Sequence, residues 1–122
     1  MQHSEAFLNI VNAAKANINQ LTIAQTKARM EMNPAVKVVD VREDREWALG
    51  HIAGAEHIGK GVIERDIESK IPDKDAEIIL YCGGGFRSAL SAENLQKMGY
   101  KNVYSMDGGW REWANAGNPV DL

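Results

Sequence analysis

The sequence predicts an α/β domain built on a parallel sheet. Short apolar runs alternate along the chain with stretches of helical periodicity, and neither an internal repeat nor a low-complexity linker interrupts them. Its 122 residues fit one domain, since domains commonly hold ~100–150 residues and a chain of ~150 buries roughly 70% of its unfolded surface. Hydrophobic residues at 44% and charged residues at 25% match an ordinary globular protein, which disfavours disorder and fibrous repeats.

Taken in order, Phe7, Ile10, Val11, Ala14 and Ile18 recur at helical spacing behind Ser4 as N-cap, so residues 4–19 read as an amphipathic helix. This N-terminal helix, residues 1–19, precedes a second unit, residues 20–122, and is expected to pack on its own sheet in preference to forming a partner surface. Gln20, Leu21 and Thr22 suit a short edge strand. Ala24 to Glu31 reads as a second helix, with Thr22 as cap and Asn33-Pro34 as terminator. Ala35 to Val41 is the first well-marked strand, because Val36, Val38, Val39 and Val41 give it the β-branched density of a strand covered on both faces. Residues 43–49 look helical, Ala55 to Ile58 fits a short strand, and Ile78 to Tyr81 is a compact apolar strand that ends at Cys82. After a glycine-rich turn, Arg87 to Met98 reads as a helix capped by Gly99. Asn102 to Ser105 is another strand, and Gly109 to Ala116 a last helix closed by Gly117 and Pro119.

Composition excludes several function classes. Fourteen basic against seventeen acidic side chains leave a net charge of −3 with no long Lys/Arg run, so nucleic acid is not an expected partner. No stretch approaches the ~20 apolar residues of a membrane span, and Met1 to Glu5 lacks the basic region that opens a secretory leader. A cytoplasmic protein without membrane association is the expectation. One cysteine in the chain rules out an internal disulfide and any multi-cysteine metal cage, so a reactive Cys82 needs its resolving partner on another molecule.

The chemistry concentrates in Leu80-Tyr81-Cys82-Gly83-Gly84-Gly85-Phe86-Arg87-Ser88-Ala89. A buried parallel strand brings Cys82 to the carboxyl edge of the sheet, where open α/β folds place their ligands. Gly83, Gly84 and Gly85 let the backbone turn so that successive N–H groups converge on one point, an anion nest, and the helix starting near Arg87 adds the positive end of its dipole. Both favour thiolate over thiol, so a depressed Cys82 pKa is expected. Arg87 offers planar N–H donors to an oxyanion, and Ser88 one more hydrogen bond. A lone cysteine is more often inert packing, and glycine turns without chemistry are common. The order strand, cysteine, glycines, arginine, helix is much rarer. A Walker-type loop is excluded, because no Gly-Lys-Ser/Thr follows the glycines.

From about residue 20 to 120 the chain resembles a rhodanese-homology domain. The resemblance rests on Val38-Val39-Asp40-Val41-Arg42-Glu43, Gly50-His51-Ile52-Ala53-Gly54-Ala55, the Cys82 loop, and Asp107-Gly108-Gly109-Trp110. It implies a doubly wound parallel sheet of four to five strands flanked by helices, here with an additional N-terminal helix. It also implies a sulfurtransferase working by a ping-pong cycle. Cys82 would carry a sulfane sulfur from a donor, thiosulfate or a persulfide, to a thiol, cyanide or protein acceptor, with no cofactor. Cys82 matches the catalytic carrier, and Gly83, Gly84, Gly85, Phe86, Arg87 and Ser88 the substrate-binding loop. Familiar thiosulfate-using members carry a basic residue directly after the cysteine, where this sequence has Gly83. Two alternatives remain beside sulfur transfer: a noncatalytic interaction module, against which Cys82 weighs, and a cysteine-dependent phosphatase or arsenate reductase. Those relatives resemble the pattern cysteine, five residues, arginine, whereas four residues separate Cys82 from Arg87 here.

The remaining motif residues read as scaffolding. Asp40 and Arg42 share one face of a strand end and suit a brace at the pocket rim. His51 and His57 are not the helical pair of a zinc site, and no metal is expected. Trp110 and Trp113 suit core packing. Lys60 and Arg65 fit either the pocket mouth or a solvated face.

Overall fold

A computed structural model describes residues 2–122. Its centre is a five-stranded sheet, all parallel, formed by β1 (Asn19–Leu21), β2 (Lys37–Asp40), β4 (Glu56–His57), β5 (Ile78–Tyr81) and β6 (Val103–Met106) in the order β1-β6-β5-β2-β4. The short β3 (His51–Ile52) and β7 (Val120–Asp121) pair antiparallel beside it. Six helices complete the described residues: α1 (Glu5–Lys15), α2 (Ile23–Met32), α3 (Asp44–Leu49), α4 (Ile63–Lys70), α5 (Phe86–Lys97) and α6 (Gly109–Asn115).

Alternation along the strands produces two cores. Ile78 and Leu80 of β5 face one side with Val39, Ile63 and Ile67 of α4, and Ala92 and Leu95 of α5. Ile79 and Tyr81 face the other with Val38, Leu21, Met106, Ile52 and Trp113 of α6. Every residue of β5 is therefore buried, which is why the run is continuously apolar rather than alternating. The sheet is doubly wound, with helices on both faces, as expected.

The local signals hold where they have a physical cause. Thr22 caps α2 in a reciprocal box: its hydroxyl accepts from Gln25 N at 3.1 Å and the Gln25 side chain accepts from Thr22 N at 2.9 Å. Four details differ. The first helix ends at Lys15, not residue 19, because Asn19 already pairs with Tyr104 at the sheet edge. It also docks on α5 and not on the sheet, since α5 already covers that face. Helix α4 has no counterpart in the sequence reading; its two buried anchors, Ile63 and Ile67, stand among charged neighbours with no side-chain cap at Val62. Strands β3 and β7, two residues each, are too short to show a period.

Candidate functional site

Strand β5 ends at Tyr81 and delivers Cys82 to the carboxyl edge of the sheet, between β2 and β6. The chain then turns into α5, whose N-cap Gly85 has φ +101°, a left-handed conformation that a side chain would strain. Of the three loop glycines only Gly85 has a positive φ. The turn points backbone donors at the sulfur. Gly85 N donates to Cys82 Sγ at 3.2 Å and Ser88 N at 3.4 Å, while the Ser88 hydroxyl lies 3.5 Å away. Behind it the Ser105 hydroxyl of β6 bonds Ser88 Oγ at 2.8 Å.

Helix α6 holds the loop from outside. Trp110 N donates to Cys82 O at 2.8 Å and Arg111 N to Gly83 O at 3.2 Å, so the loop carbonyls turn outward and its N–H groups turn in. The approach is close: a Cβ on Gly109 would lie 2.5 Å from Cys82 O. Burial opposes charging Cys82, but the Ser88 hydroxyl and the N–H groups of Ser88, Gly84 and Gly85 outweigh it and pull the thiol below its ordinary value. The expected depression is present, with its cause.

Arg87 reaches over the loop, and a Cβ on Gly83 would meet its Nη2 at 3.2 Å. The guanidinium is not free, since it forms a fork with Glu46 of α3 at 2.8 and 3.1 Å. That pair holds the Glu46 carboxyl down to about 2 and raises the Arg87 pKa, aided by the charge on Cys82. The Phe86 ring leaves the cradle and packs with His3 and Phe7 at 4.7 and 6.3 Å, under Lys15 Nζ at 4.9 Å. Its side chain thus anchors α1 beside the loop.

Asp40 and Arg42 form a buried pair away from the sulfur. Arg42 donates to both Asp40 oxygens at 2.8 to 3.1 Å and to Gly50 O at 2.6 Å, and lies 4.9 Å over Trp110. Tyr81 OH accepts from Ile52 N at 3.0 Å, and burial followed by the Asp40 charge pushes its pKa up. His51 and His57 both stack on Trp47, at 3.4 and 5.0 Å, and donate to the carbonyls of Trp47 and Arg42. Trp113 is core, its Nε1 donating to Pro119 O at 2.9 Å. Arg65 is exposed and paired with Asp66 at 2.7 Å, a solvated ion pair rather than a group at the pocket mouth. Lys60 is half-buried, and its N–H holds Val41 O at 3.0 Å.

Sequence reasoning missed Glu46, Ser105 and Arg111. Only Ser105 left a trace, as a hydroxyl in an otherwise apolar strand. Glu46 stands 41 residues from Arg87, and the Arg111 guanidinium, whose Nε donates to Gly83 O at 3.3 Å, meets the loop from 28 residues away.

Comparison with known proteins bears on the family and the fold. Residues 22–116 match the family described as Rhodanese-like domain. The thiosulfate sulfurtransferase GlpE of Pseudomonas paraeruginosa is 35% identical over 91 residues, covering 75% of this chain and 81% of the relative. A solved protein of unknown function from Rhodopseudomonas palustris, described as a possible tyrosine phosphatase, superposes with TM-score 0.88 at 30% identity over 99% of this chain and 98% of its own. The polysulfide-sulfur transferase homodimer of Wolinella succinogenes gives TM-score 0.82 at 26% identity, covering 95% of this chain and 87% of that one.

Proposed function

The chain belongs to the rhodanese-like domain family, and from that premise we propose that it transfers sulfane sulfur through a persulfide on Cys82. Its relatives include thiosulfate and polysulfide sulfurtransferases, so sulfur transfer is supported at family level. The observation that carries the finer reading is the convergence of Gly85 N, Ser88 N and the Ser88 hydroxyl on one sulfur at the N-terminus of α5. Such a site keeps a thiolate ready and shelters the negative sulfur of a persulfide. In the first half-reaction the Cys82 thiolate attacks the outer sulfur of the donor, a new S–S bond forms, and the donor's remainder leaves with the electron pair. In the second, an acceptor thiolate or cyanide attacks the outer sulfur of the persulfide, and the Cys82 thiolate leaves.

The Rhodopseudomonas likeness raises phosphoryl transfer as a second reading. It would want a general acid, and Asp107 stands near the loop, its carboxylate 3.5 Å from where a Cβ on Gly85 would be. Loop size favours sulfur. With four residues between Cys82 and Arg87, the N–H groups close on Sγ itself, whereas a phosphoryl group needs room for three equatorial oxygens and an in-line leaving group.

Mass spectrometry after incubation with thiosulfate or a persulfide tests the proposal. Cys82 should gain one sulfur atom that cyanide removes, and Cys82→Ser should gain none while keeping its circular-dichroism spectrum. Aryl phosphate should be hydrolysed negligibly. Sulfur transfer undiminished in Cys82→Ser, or aryl-phosphate hydrolysis through Cys82 faster than sulfur transfer, would overturn it.

A further inference from the structure

Two guanidinium groups border the Cys82 loop, and they differ in what else holds them. Arg87 is committed to Glu46 by two hydrogen bonds. Among the described residues Arg111, exposed on α6, makes a single side-chain hydrogen bond, to Gly83 O at 3.3 Å, and no carboxylate lies within 4.0 Å of it. Its Nη2 crosses the rim so closely that a Cβ on Gly84 would lie 2.6 Å from it, and one on Gly83 3.9 Å from it, while Arg87 Nη2 would be 3.2 Å from that same Gly83 Cβ. The uncompensated charge at this rim therefore belongs to Arg111. The glycine after the cysteine leaves position 83 without a basic side chain, and α6 places one over it in space.

We propose that Arg111 is the donor-selecting residue of this site, recognising the anionic sulfonate end of a thiosulfate-type donor while its reacting sulfur meets Cys82. This rests on the sulfur-transfer reading. With thiosulfate, the Cys82 thiolate attacks the sulfane sulfur, the bond from that sulfur to the sulfonate breaks, and sulfite leaves with the electron pair and both of its charges. Arg111 binds the sulfonate oxygens before and during that step through its planar N–H donors. The chain as a whole is acidic, at −3, so a dianion gains its attraction from such a local cation and not from the net charge.

Two donors with the same reacting bond separate this role from a structural one. Thiosulfate ends in a charged oxygen where methanethiosulfonate ends in a methyl group. In Arg111→Gln the ratio of kcat/KM for persulfide formation with thiosulfate to that with methanethiosulfonate should fall about tenfold or more, the range of a lost hydrogen bond to a charged group. The fall should lie mainly in KM. Arg111→Lys should recover part of the ratio, and added salt should weaken thiosulfate use more in the wild type than in Arg111→Gln. A wild-type ratio in Arg111→Gln, with Cys82 still loaded by both donors, overturns this assignment and leaves sulfur transfer standing. If the wild type takes sulfur from neither donor nor from a persulfide, the sulfur-transfer reading fails and this assignment with it.

Discussion

The Cys82 sulfur sits where a helix N-cap oxygen usually sits: Ser88 is the third residue of α5, and its N–H bonds Sγ at 3.4 Å. A thiolate accepts such bonds better than a thiol, so each donor that is removed shifts the balance toward the protonated form. In Ser88→Ala the pH dependence of Cys82 alkylation should move to higher pH, and in Ser105→Ala by less, since Ser105 acts only through Ser88 at 2.8 Å. An unmoved profile in Ser88→Ala would remove the hydroxyl from the account. Glu46 offers a second titration. Its carboxyl is depressed to about 2 by Arg87, so its contribution to stability is complete above the ordinary carboxylate range and is lost as pH falls toward about 2. Denaturation of wild type and Glu46→Gln should accordingly differ at neutral pH and converge in acid. A constant difference down to pH of about 2 would mean that the charge of Glu46 contributes nothing to folding.

At the scale of elements, α6 is as much a part of the site as α5. Its first N–H groups hold the carbonyls of Cys82 and Gly83, and this contact is possible only because Gly109, at φ +58°, brings backbone against backbone. Gly109→Ala should cost about 2–4 kcal/mol from strain and forced displacement. It should also blunt Cys82 alkylation at neutral pH, because a displaced loop loses its aim; alkylation and denaturation midpoints matching wild type would contradict this. The motif Asp107-Gly108-Gly109-Trp110 was legible as a pattern, but its reason was not, since the carbonyl that excludes a side chain at 109 belongs to a residue 27 positions earlier. The same boundary divides the rest. Strands β2 and β5, the caps Ser4 and Thr22, and the turn at Gly99 are written in local residue types and could be read there. Helix α4, the β3–β7 pair and the partners Glu46 and Arg111 exist through distant contacts, to which a local pattern is blind.

Across the whole molecule, the buried pair Asp40–Arg42 links parts that the sheet alone does not. Arg42 joins the end of β2 to Gly50 ahead of β3 and to the Trp110 ring of α6, while Tyr81 at the end of β5 holds Ile52 N. The small β3–β7 sheet, the carboxyl edge of the main sheet and the helix that grips the Cys82 loop thus meet around one ion pair. Buried pairs of this kind often add little over an apolar filling, but removing one member strands the other charge, at about 3–5 kcal/mol. Arg42→Met should lower the denaturation midpoint by that order, because Asp40, fully buried, loses three of the hydrogen bonds it accepts. Adding Asp40→Val should return part of the loss, since the stranded charge goes with it. Neither residue hydrogen-bonds Sγ, so the alkylation profile of Cys82 in the folded variants should stay at its wild-type pH. A profile that moves with Arg42→Met while the fold is intact would make the pair part of the chemistry and not its brace.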